Sequence, residues 1–109
     1  MSTISTHVLD TTLGAPAIGI PVTLETFTDS TWAAIAQSAT DTSGRVRALT
    51  ADAQPGRYRL TFHLHDYFAR QGRTSLYPAI TIVFHTSGDE HYHLPLLLSD
   101  NSYTTYRGS

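Results

Sequence analysis

The 109-residue sequence predicts an all-β sandwich interrupted by one short helix. Three observations carry that reading. Apolar and polar residues alternate with a period of two in short runs, most clearly at 57–64. There Tyr58, Leu60, Phe62 and Leu64 share one face, and Arg57, Arg59, Thr61 and His63 share the other. Turn signals recur about every 8–12 residues, the spacing of sandwiches and barrels. A single segment, after the fifth strand, has helix start and stop signals.

In order along the chain, residues 4–9 form the first strand and 11–16 a turn through Gly14 and Pro16. Residues 21–28 alternate Val22 and Leu24 against Thr23 and Glu25, a half-buried strand. A turn at 29–31 leads into a strand at 32–38, and Thr42-Ser-Gly44 into a short strand at 45–49. Gln54-Pro-Gly56 is a strong turn before the strand at 57–64. Asp66 is placed to cap a helix over 67–71, which Gly72 stops. Pro78 precedes a strand at 79–85, and Ser87-Gly88-Asp89 reads as a hairpin turn into 90–98. Asp100-Asn101 turns into the last strand, 103–107. These eight strands contain no repeat or linker, so a single domain over 1–109 is expected.

Composition excludes several function classes. The net charge of −2 lacks the basic excess of a nucleic-acid surface. All seven basic residues are Arg, which suits bidentate recognition of anions and carbonyls. The absence of Cys removes disulfides and thiolate chemistry. Residues 1–6 lack the basic and apolar regions of a signal peptide. No run approaches the ~18 apolar residues of a membrane helix. The expectation is a cytoplasmic protein without membrane or nucleic-acid partners.

The six His residues carry most of the chemical interest. In the 90–98 run Tyr92, Leu94, Leu96 and Leu98 share a face that takes the core, so His91, His93 and Pro95 point outward. Ile4 and Val8 set the inward parity of the first run and place His7 outward; Thr104 and Tyr106 share a face in the last. Such an outward face is either solvated or a subunit interface. A neutral His near pH 7 can act as a base, and an Arg beside it can polarise a carbonyl. Taken singly, each is an ordinary surface residue, as is Arg45 after its turn; Arg47, Arg57, Arg59, Arg70 and Arg73 have nothing to raise them above that. His91-x-His93 and His63-x-His65 have the spacing of strand metal pairs. Zinc takes three or four ligands and no third stands at a telling distance, so no metal or cofactor is expected. A serine-hydrolase elbow and a Gly-rich phosphate loop are both missing.

Long blocks of the chain resemble the 5-hydroxyisourate hydrolases of the transthyretin superfamily. They are His7-Val-Leu-Asp10 running through Gly14-x-Pro16 to Val22, His91-Tyr-His-Leu-Pro-Leu-Leu-Leu-Ser99, and Tyr106-Arg107-Gly108-Ser109. Thr40-Asp-Thr-Ser-Gly-Arg45, Gly56-x-Tyr58 and Asp66-Tyr67-Phe68 fit as well. The resemblance implies two four-stranded sheets with the helix after the fifth strand. It also implies a homotetramer, a dimer of dimers, with sites in the channel between dimers. The implied reaction is hydrolysis of 5-hydroxyisourate to 2-oxo-4-hydroxy-4-carboxy-5-ureidoimidazoline, without a cofactor. His7, Arg45 and His93 would be catalytic. His7, Arg45, Tyr106 and Ser109 would bind substrate, and His91, Thr104, Arg107 and Gly108 would support them. The hormone carriers of the superfamily have Lys at the position of His7 and lack the final tetrapeptide, which weighs against a carrier. Asp100-Asn101 departs from the Pro or Gln plus aromatic that often follows Leu-Leu-Ser, which bears on loop shape or interface packing.

Overall fold

The computed structural model describes residues 2–88 and 90–109. Strands β1 (Ser2–Asp10), β2 (Ala15–Pro16), β5 (Arg45–Ala53), β8 (His91–Leu98) and β9 (Tyr103–Thr105) form one sheet. Strands β3 (Pro21–Thr28), β4 (Thr31–Ala39), β6 (Gly56–His63) and β7 (Ala79–Thr86) form the other, in the order β4-β3-β6-β7. The fifth strand of the first sheet is the two-residue β2, which shares with β5 the edge of β1 left free by β8. The helix α1 (His65–Ala69) follows β6.

The core is the facing sides of the two sheets. Ile4, Val8, Leu96 and Leu98 from the first meet Val22, Leu24, Leu60 and Phe62 from the second, all at most 1% exposed. Alternation on β6 and β8 therefore sets which residues are buried and, by the same parity, which face out. Leu64, Tyr67 and Phe68 close one end of the core from the helix region.

Four local features differ from the expectations. The β7–β8 connection is not a hairpin: among the described residues β7 pairs with β6 alone, while β8 pairs with β1 and β9. The Ser-Gly signal is a turn, with Gly88 at φ 70°, but the chain crosses between sheets there; Asp89 lies outside the described residues. The helix begins at His65 with Leu64 in the capping position and no side-chain cap, so Asp66 sits inside the first turn. A carboxylate is favourable there without capping, because it faces the positive end of the peptide dipoles. Strand β5 runs four residues past Leu49, through bulges against β1 that no simple alternation reveals. The last strand stops at Thr105, because Pro95 on its neighbour has no N–H to offer. The same register resumes as a single bridge between His93 and Gly108.

Candidate active site

The outward face of the first sheet gathers the chemistry. In the parallel β1–β8 pair, Thr3 stands opposite His91, Ser5 opposite His93 and His7 opposite Pro95. On the other edge of β1, Arg45 stands opposite His7. A cavity of about 190 Å³ opens here, lined by Ser5, Thr6, Arg45, Arg47, His91, His93 and Ser109. His7 stands beside it. Three strands far apart in sequence thus bring His7, Arg45 and His93 onto one surface.

The loop before β5 is built to hold this arrangement. The Asp41 carboxylate accepts the N–H groups of Ser43 (2.8 Å) and Arg45 (2.9 Å). Gly44 has φ 76°, and its carbonyl accepts the Val8 N–H at 2.7 Å. A Cβ on Gly44 would lie 2.4 Å from the Val8 carbonyl oxygen, so the backbones could not meet with any other residue. This close approach presents the Ser43 carbonyl to His7, whose Nε2–H donates to it at 2.8 Å. The bond fixes the ring and leaves Nδ1 as the acceptor nitrogen.

His93 is fixed from two sides. Its Nδ1 lies 2.8 Å from the Ser5 hydroxyl, which also lies 3.1 Å from His91 Nε2. Thr3 Oγ1 in turn bonds His91 Nδ1. On the tail side, the Gly108 N–H donates to the His93 carbonyl at 2.7 Å. The tail lies so close that a Cβ on Gly108 would stand 2.7 Å from His93 Cδ2 and 3.2 Å from the Pro95 ring.

Burial, followed by the electrostatic influence of His91, Arg45 and His7, holds the His93 imidazole below its ordinary pKa. No acid is among the groups that shift it. The ring is therefore neutral near pH 7, and Nε2 is the nitrogen left over for a ligand. Asp41 is held below the usual carboxylate range, first by the Arg45 N–H.

Other predicted positions fall elsewhere. Tyr106 and Arg107 line a second, apolar cavity of about 280 Å³ with Ile82, Phe84, Tyr92 and Leu94, at the open edge between the sheets. Arg107 lies over the Tyr92 ring at 4.4 Å and reaches Glu90 at 3.4 Å. Thr104 pairs with Leu97 on β8, four residues beyond His93. His63 and His65 do not form a strand pair: His63 ends β6 beside Thr23 (3.0 Å), and His65 starts the helix. Among the described residues, no three His, Asp or Glu converge as a metal cluster.

Two features are absent from the sequence reading. Ser5 and Thr3 belong to the His face: the parity that puts His7 outward puts them there too, but their contacts with His91 and His93 arise only from the β1–β8 pairing. Arg73 is no ordinary surface residue, since it donates to Asp10 (2.7 Å) and Asp100 (2.5 Å). Asn101 accepts the Leu76 N–H at 3.2 Å, so the unusual Asp100-Asn101 pair fastens the loop between α1 and β7.

A model of the HIUase/Transthyretin family matches residues 4–108. The chain belongs to that family. A 5-hydroxyisourate hydrolase of Salmonella typhimurium is 43% identical over 97% of this chain and 80% of its own length. The structure of a Klebsiella pneumoniae 5-hydroxyisourate hydrolase superposes with a TM-score of 0.89 at 39% identity, covering 100% of both chains. Sea bream transthyretin in complex with thyroxine superposes with a TM-score of 0.93 at 32% identity, covering 97% of this chain and 94% of its own. The backbone alone therefore does not separate the hydrolase from the thyroxine-binding protein, and a distinction between them rests on side chains.

Proposed function

We propose that this protein hydrolyses 5-hydroxyisourate, opening its six-membered ring at an amide-like C–N bond in urate degradation. The observation that carries the reading is the meeting of His7, Arg45 and His93 from three strands beside a polar cavity, with His93 held neutral. Relatives at about two-fifths identity over nearly the whole chain are named for that hydrolase.

In this reading His93, with His7 orienting, takes a proton from water as the oxygen attacks the carbonyl carbon. General acid–base assistance of this kind contributes about 10²- to 10⁴-fold. Arg45 binds the carbonyl oxygen and offsets the charge that develops on it. The leaving nitrogen is then protonated and the C–N bond breaks, giving 2-oxo-4-hydroxy-4-carboxy-5-ureidoimidazoline. Ser109 and Tyr106 bind the ring, with His91, Thr104, Arg107 and Gly108 in support. A homotetramer with the His faces lining the channel between dimers fits the site's size. At about 190 Å³ the cavity of one chain is smaller than the ~300–1,000 Å³ of most small-molecule sites, and a facing copy would complete it. Across the channel, the partner would also supply groups such as Tyr106 that lie away from this chain's own His cavity.

The test is the disappearance of 5-hydroxyisourate, freshly made from urate by urate oxidase and followed by absorbance against its spontaneous decay. Acceleration by the wild-type protein that Arg45→Ala abolishes is the expected result. A folded protein that leaves the decay unchanged rules the reading out and directs attention to small-molecule carriage.

A further inference from the structure

Ser5 is 5% exposed and lies between two imidazoles, 2.8 Å from His93 Nδ1 and 3.1 Å from His91 Nε2. The two rings are nearly parallel, 13° apart, with centroids separated by 6.2 Å. Thr3 Oγ1 closes the line at His91 Nδ1. A hydroxyl has one proton to give and lone pairs to accept with. Ser5 can therefore donate to only one of the rings and must accept from the other. The hydrogen bonds of Thr3, His91, Ser5 and His93 must consequently all point the same way, and reversing one reverses the others. In one direction His93 carries its proton on Nδ1 and offers a bare Nε2; in the other it carries Nε2–H.

We infer that Ser5 is a positioning residue of the site, joining His93 to His91 in a proton relay that converts His93 Nε2 from base to acid within one turnover. The inference rests on the reading of His93 as the base that activates water. As water attacks, its oxygen bonds to the carbonyl carbon and its proton passes to His93 Nε2. The Nδ1 proton moves to Ser5 Oγ, and the Ser5 proton moves to His91 Nε2. The positive charge thus rests on His91, which is exposed, and leaves His93, which is half-buried. His93 now holds Nε2–H. As the C–N bond breaks, His93 gives that proton to the leaving nitrogen while His91 returns its proton through Ser5 to His93 Nδ1, so the ring is never left without a proton. The net transfer is one proton from water to the leaving nitrogen, with no oxidant or further reactant. The benefit is electrostatic. Among the groups facing His93, Arg45 from β5 and His7 from β1 disfavour a cation on that ring as His91 does, and of the three imidazoles on this face His91 is the exposed one, while His7 and His93 are half-buried.

The experiment measures kcat and KM for 5-hydroxyisourate in Ser5→Ala, Ser5→Thr, His91→Gln and the Ser5→Ala/His91→Gln double variant. It also records ¹⁵N shifts of the histidine rings. Ser5→Ala should lower kcat about 10-fold, part of the acid–base contribution, with KM little changed. Ser5→Thr, which keeps the hydroxyl, should recover most of that loss. The double variant should be no slower than the slower single, because both interrupt one path. His93 Nδ1 should shift in Ser5→Ala toward the value of a ring without a hydrogen bond. Equal losses in the Ala and Thr variants, or an unchanged kcat in Ser5→Ala, overturn the relay. A wild-type protein that does not accelerate 5-hydroxyisourate loss removes the hydrolase reading instead. In that event the ¹⁵N shifts still judge the coupling, and a His93 Nδ1 indifferent to Ser5→Ala overturns it independently.

Discussion

Strand β1 carries a polar cluster at each end, and the two are built on opposite principles. At its C-terminal end Asp10 is 1% exposed, and both carboxylate oxygens are occupied. They accept the N–H groups of Thr12 and Leu13 at 3.1 Å, the Tyr67 hydroxyl at 2.7 Å and the Arg73 guanidinium at 2.7 Å. Burial alone would raise the Asp10 carboxyl, but Arg73, Tyr67 and the Leu13 N–H outweigh it and hold it low. Arg73 is pushed up by the same pair and by Asp100. Each charged group there has a partner of opposite sign, and the titration of Asp10 and Arg73 is moved away from neutral pH. Along the outward face of the same strand, the ionisable groups that act on His93 are all basic, and burial, followed by their repulsion, displaces its titration point downward. The first cluster locks the helix and two loops to the sheet, while the second keeps an imidazole neutral with one nitrogen available. Matched charge makes structure; unmatched charge on a rigid sheet makes a site that can exchange protons.

That contrast predicts separable effects, the largest in rate. Arg45→Ala should lower kcat by about 10²- to 10³-fold, as for removal of an oxyanion donor. Its unfolding midpoint in urea should stay near wild type, because Arg45 lies outside the core. A large drop in that midpoint would blur the distinction between the two ends. Asp10→Asn should do the reverse. It leaves the Arg73 charge short of its main partner, at a cost of about 3–5 kcal/mol in urea unfolding. The turnover per folded molecule should be retained, and a selective loss of kcat would place the cluster in the chemistry.

A smaller effect is expected at the tail. Gly108→Ala must displace either the tail or the His93 ring, since the added methyl would lie 2.7 Å from Cδ2. A misplacement of a few tenths of an ångström should reduce kcat/KM by about 10-fold with little change in stability. Normal kinetics would show that the tail does not set the ring's position.

Acid should separate the clusters as well. His93 is depressed, so its neutral, basic form persists below the ordinary imidazole value of about 6.5 and is lost as pH falls through its own lower pKa. The unfolded chain takes up that proton earlier, so stability falls slightly over the same descent. Asp10 is depressed too, but as an acid. Its contribution is complete above about 3.9 and is lost only as pH falls through its folded pKa, below that value. Rate measured against pH should therefore decline while near-ultraviolet circular dichroism is still native. Simultaneous loss of both would mean that the site and the fold titrate together.

The same physical distinction explains what was readable in the sequence. Strand β3 is found at the expected residues 21–28, and the inward face of β6 is the one its alternation marks, because a half-buried strand writes its burial directly into every second residue. The outward direction of His91 and His93 follows from the buried leucines between and beyond them. The parallel pairing of β1 with β8 was not readable, since strand neighbours are chosen by long-range packing and no local pattern records them. The crossing from β7 to β8 is hidden for the same reason: a turn signal states that the chain bends, not which strand it will meet. Ser5 passed unnoticed because a lone serine acquires meaning only when β1 and β8 are paired and two rings are set beside it. Arg73 was hidden because its partners lie at Asp10 and Asp100, at opposite ends of the chain. The break at Pro95 was written in the sequence, and its consequence is that the chain leaves the ladder before Tyr106 and returns at Gly108.

The most direct test of the separation between site and scaffold is His93→Ala, assayed for 5-hydroxyisourate turnover and for urea unfolding in the same preparation. The contrast predicts a fall in kcat/KM of about 10²- to 10⁴-fold, the range of general acid–base help, with an unfolding midpoint close to wild type. Near-normal turnover by a fully folded His93→Ala protein would contradict it and take His93 out of the chemistry.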